Sequence, residues 1–99
     1  MNMSLPAKRR GSSIGQTAMM REIEDYVAVN MKEMYDAKEE LKQSYQDEIK
    51  EAEESGFKEI ADSLKEDLEN ELEQLGVQYE EERMKQIEII KNKYMRKLS

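Results

Sequence analysis

The chain has no cysteine and no histidine. Their absence excludes disulfides, thiolate or imidazole metal ligands, and the side chains that carry most nucleophilic and proton-transfer chemistry. Tryptophan is missing, phenylalanine occurs once (Phe57), and Pro6 is the only proline, so nothing after the sixth residue forbids a helix. No apolar run approaches the roughly 18 residues that a membrane span requires. The N-terminus has basic residues but lacks the apolar stretch of a secretory signal. The expected address is cytoplasmic, with cytoskeletal or nuclear association compatible with it.

What the chain has in quantity is charge. Charged residues make up 39% of the 99 and hydrophobic residues 37%, with a mean hydropathy of −0.98. A chain this small buries a modest share of its surface even when well packed, so one copy struggles to assemble a core. Glu, Lys, Leu and Gln dominate after residue 16, the composition of a long helix or coiled coil. The net charge of −7 is unevenly placed: residues 22–82 hold 22 of the 23 acids against six lysines. Residues 8–21 carry four basic residues and no acid, and from Arg83 onward six basic residues face only Glu88. An acidic middle repels phosphates, which disfavours nucleic acid along its length. The cations Lys91, Lys93, Arg96 and Lys97 suit the negative end of a helix dipole better than a lipid surface.

The segment MNMSLPAKRRGSSIGQ, residues 1–16, has no apolar periodicity and is expected to be a disordered basic tail. Thr17 is a candidate N-cap before Ala18, Met19 and Met20, and residues 17–98 are expected to form a single long amphipathic helix. Met20, Val27, Met34 and Leu41 recur every seven residues, with Ile23, Asn30 and Ala37 three positions after the first three; Tyr45, Ile49 and Ala52 follow. The spacing then changes to eleven: Phe57, Leu68 and Tyr79; Ala61 and Leu72; Leu64 and Leu75, with Ile90, Tyr94 and Leu98 extending the face. A change from seven to eleven marks local unwinding of a coiled coil. It coincides with Gly56, where a bend is expected. "QLGVQ" around Gly76 resembles a glycine helix cap followed by an apolar residue, and neither it nor "ESGF" has the proline or Asn/Asp of a strong turn. On balance both glycines read as flaws in a rod. A rod of that length cannot cover its own stripe, so its expected partner is a second copy, or another helical protein, bound as in a coiled coil. The Met and Tyr on the stripe make an adaptable seam.

Chemistry beyond assembly has few candidates. Arg9 and Arg10 stand upstream of Ser12 and Ser13 at the spacing basic-directed kinases read, so both serines are candidate phosphorylation sites in a tail whose charge a phosphate would largely cancel. The acidic runs at residues 51–54, 66–69 and 80–82 lack the glycine turn of a calcium loop and read as solvated helix faces. No pair of groups is placed for acid–base work and no glycine spacing cradles a phosphate. The expectation is a non-enzymatic assembly protein without metal, cofactor or small-molecule substrate.

Overall fold

The computed structural model describes the backbone of residues 4–98 and the side chains of residues 15–97. It is all-α: α1 runs Ser4–Glu54 and α2 runs Lys58–Leu98, and there is no strand among the described residues. The single helix expected over 17–98 is therefore two helices, and the break falls at Gly56.

The hydrogen bonds around that glycine explain the break. Phe57 N–H donates to the Ala52 carbonyl at 2.9 Å, reaching back five residues, and Gly56 N–H donates to the Glu53 carbonyl at 3.2 Å. Gly56 has φ of 81°. This is a Schellman motif: a left-handed residue reverses the chain and two otherwise orphaned carbonyls find donors. The motif needs a residue that tolerates positive φ followed by an apolar one, and Gly56-Phe57 supplies both without proline or asparagine. Glu59 then lies in the first turn of α2, and Arg96 and Lys97 in its last, each the sign the helix dipole favours.

Gly76, whose surroundings resemble a glycine cap, lies inside α2. A methyl group placed there would come within 3.3 Å of Lys38 Nζ, the far end of a flexible side chain. We therefore expect Gly76→Ala to stabilise the fold by about 0.5–1 kcal/mol through helix propensity, read as a higher urea midpoint with unchanged slope.

The N-terminal boundary also differs from the expectation. α1 begins at Ser4, with Pro6 in its first turn, where a missing N–H costs no helical hydrogen bond. Thr17 is consequently inside α1 and caps nothing. Of the expected tail, residues 1–3 lie outside the described residues, and the side chains of Ser12 and Ser13 lie outside the described side chains.

Contacts divide the chain into two units, one spanning Asn30–Glu81 and the other made of the residues before Asn30 together with those after Glu81. In the first, the Schellman turn joins the end of α1 to the start of α2 as a helical hairpin. Lys65 pairs with Glu53 at 2.9 Å, the Tyr45 hydroxyl bonds the Glu71 carboxylate, and Asn30 Nδ2 donates to the Tyr79 carbonyl at 3.3 Å. As the α1 partner moves back along the chain, the α2 partner moves forward, which is antiparallel pairing. The second unit pairs its α1 and α2 segments through Glu22, Lys93 and Tyr94.

Candidate interaction surfaces

The shielded positions of both helices follow one rule. On α2 they include Ala61, Leu64, Leu68, Leu72, Leu75, Tyr79, Arg83, Gln86, Ile90 and Tyr94, whose steps of three, four and four repeat every eleven residues. On α1, Ile23, Met34 and Tyr45 are eleven apart and shielded, as are Val27, Lys38 and Ile49, and Asn30, Leu41 and Ala52. Eleven residues over three turns is close to the natural period of a straight helix, so paired faces stay in phase without left-handed coiling. The sevenfold positions of early α1, Val27, Met34 and Leu41 with Ile23, Asn30 and Ala37, are shielded too, and Met20 is the exception.

Most of the stripe expected to bind another molecule is therefore shielded by helix–helix pairing within each unit. Ile23, Val27, Met34, Leu41, Tyr45, Ile49, Leu64, Leu68, Leu72, Leu75, Tyr79 and Tyr94 are half-buried, and Ala61 and Ile90 are buried. Met20 and Phe57 are not: they are 53% and 58% exposed. Met20 follows the sevenfold spacing and so falls beside the shielded face. Phe57 closes the Schellman motif at the end of the hairpin, where no further helix turn covers it. The Leu98 side chain lies outside the described ones. Sequence spacing did not single out Glu22, Tyr26 or Ile87, which are also half-buried, and the eleven-residue rule does not recover Glu22 either.

The shielding is shallow. Among the described residues, the buried apolar side chains are Ala52, Ala61 and Ile90, and Asn30 is the buried polar one. No large side chain is fully buried, while Tyr35, Met84 and Met95 are each more than 60% exposed. Two paired helices make a single layer, and a stable helical domain covers an apolar layer with another. The hairpin unit also holds a groove of about 460 Å³ between Ala37, Leu41 and Ser44 on α1 and Glu71, Leu75 and Gln78 on α2. Its rim of carboxylates and amides suits a polar side chain from a neighbouring helix.

Electrostatics are concentrated at Glu22. Its carboxylate accepts from Lys93 Nζ at 2.6 Å and from the Tyr94 hydroxyl at 2.8 Å. Lys93 and Lys97 also sit 5.2 and 5.3 Å from the Tyr94 ring centroid, in cation–π range. The hydrogen bonds from Lys93 and then Tyr94 hold the Glu22 carboxyl below its ordinary value, against a smaller opposing effect of desolvation. The bond to Glu22 raises the Lys93 ammonium and the Tyr94 phenol above theirs. Glu22 therefore stabilises the fold above the ordinary carboxyl range, and that contribution disappears as pH falls through its depressed value. Lys93 and Tyr94 contribute below their ordinary values and lose that contribution as pH rises through their raised ones. We expect carboxyl NMR titration to place Glu22 below the ordinary glutamate value, and Lys93→Ala to move it back towards that value. An unshifted Glu22 in the unaltered chain would refute the contact.

Among the described residues no three carboxylates converge to hold a metal ion, and no helix is long and apolar enough to cross a membrane. The hairpin unit carries 18 acids against six lysines, so both basic blocks of the sequence fall in the other unit. Comparison of the chain with protein-family models, curated proteins and solved structures finds no match.

Proposed function

We propose that this is a non-enzymatic structural or interaction protein, working in the cytoplasm by helix-to-helix assembly. It either self-associates in coiled-coil fashion or forms part of a multiprotein helical bundle. The observation that carries this reading is the combination of regular helices with almost no core. Among the described residues three small or medium apolar side chains are buried, and the flanks of both helices keep large apolar side chains in water. Adding a second layer of helix would cover them, and Met and Tyr on those flanks suit an adaptable seam. The carboxylates of the hairpin unit favour a protein partner over a nucleic acid.

Sedimentation equilibrium and circular dichroism over a concentration series test the proposal. A helical dimer or larger species at micromolar concentration supports it; a stably folded helical monomer throughout would overturn self-association. The same shallow core favours a second reading, a strand that completes its folding only on a partner, and its signature is a poorly helical monomer. Deleting residues 1–16 separates both from a phospho-regulated adaptor directed by Ser12 and Ser13. Assembly survives that deletion if the helices carry the function, and partner docking is lost if the tail does.

A further inference from the structure

The outward side of α2 in the unit beyond Glu81 carries a stripe with a symmetry of its own. Met84, Glu88, Lys91 and Met95 succeed one another at steps of four, three and four, so they line one face of the helix. All four are exposed, the two methionines at 65% each. Glu88 and Lys91 have no ion-pair partner among the described residues. Read in the opposite direction the stripe is Met, Lys, Glu, Met. Laid antiparallel on a copy of itself, it sets methionine on methionine and carboxylate on ammonium at every position.

We infer that this stripe is an isologous contact, in which α2 packs antiparallel on α2 of a second copy. The two-fold axis crosses midway between Glu88 and Lys91. Met84 then meets Met95 of the other copy, Glu88 meets its Lys91, and each contact occurs twice, as a two-fold requires. Neighbouring residues widen the contact. Glu22 and Lys93 meet on one side of the α1–α2 pair. Met20 lies roughly half a turn around α1 from Glu22, as Met84 and Met95 do around α2 from Lys93. These apolar side chains therefore share the opposite side of the unit. Glu88 and Lys91 leave the stripe without net charge, so it offers an anionic membrane or a nucleic acid no charge attraction.

The inference rests on the assembly reading above, and charge reversal tests it within the full chain. Both charged residues are exposed, so neither change disturbs the helix pair. Glu88→Lys or Lys91→Glu alone sets like charges against each other twice per dimer and should weaken dimerisation about tenfold. The double reversal should restore it. The absence of cysteine permits a second test with Met84→Cys and Met95→Cys chains. Mixed, they should oxidise to a disulfide-linked heterodimer. Either alone should not, because identical positions in an antiparallel pair stand about 16 Å apart along the axis, beyond disulfide reach. A Met84→Cys chain that links to itself would show parallel packing and overturn the inference. So would a dimer indifferent to all three charge variants, which would leave the assembly reading standing on another face. A monomer at every concentration would defeat both.

Discussion

Ala61→Asp is expected to unfold the hairpin unit at neutral pH, costing about 3 kcal/mol. Ala61 is 1% exposed, the most buried side chain among the described residues named as core. With Ala52 it keeps α1 and α2 close just beyond the turn. An aspartate there is larger than the space and too short to carry its charge out to water. Its position near the start of α2 returns only a fraction of that cost through the helix dipole. With so few buried residues, a loss of this size is comparable to the stability of the whole unit. Urea unfolding checks it, with Ser63→Asp as the exposed control, expected to stay within about 0.5 kcal/mol. If the two variants unfolded at the same urea concentration, the packing at Ala61 would be refuted.

Gly56→Val should cost about 2 kcal/mol or more, although a methyl at Gly56 would have no atom within 4 Å. The cost is in the backbone. At φ of 81° a β-branched residue is strongly disfavoured, and leaving that conformation sacrifices the donors to the Ala52 and Glu53 carbonyls. Gly56→Asn should cost least, since asparagine tolerates the left-handed region, and Gly56→Ala should fall between. Equal effects of all three would mean that the turn does not need a left-handed residue. The opposite sign expected for Gly76→Ala makes the two glycines each other's control.

The same glycines show how far the sequence could be read. The scarcity of helix breakers and the apolar spacing make an all-α chain legible, and α2's eleven-residue period is visible in the sequence itself. The turn was not, because a Schellman motif asks only for a glycine and a following apolar residue. Leu75-Gly76-Val77 fits that pattern as well as Ser55-Gly56-Phe57 does. The choice depends on which reversal brings two shielded faces into register, and register is a property of the pair of helices. For the same reason Glu22 was unreadable as a contact: its partners Lys93 and Tyr94 are 71 and 72 residues away. Met20 falls beside the face shielded within its unit because sevenfold and elevenfold spacings coincide over a short stretch and then diverge.

The antiparallel pairing also prescribes an order of events in time. Glu53 and Lys65 are 12 residues apart, Tyr45 and Glu71 26, Asn30 and Tyr79 49, and Glu22 and Lys93 71. Closing the last of these directly from an open chain would cost about 1.6 kcal/mol more loop entropy than closing the first. Closing them in sequence spreads that cost over many small steps. The chain should therefore zip from Gly56 towards its two ends, and the amide protons beside Glu22 and Lys93 should exchange before those beside Ala52 and Ala61. The Met84–Met95 stripe belongs to the unit with the longest closure, so pairing with a second copy would hold together the helices that part first.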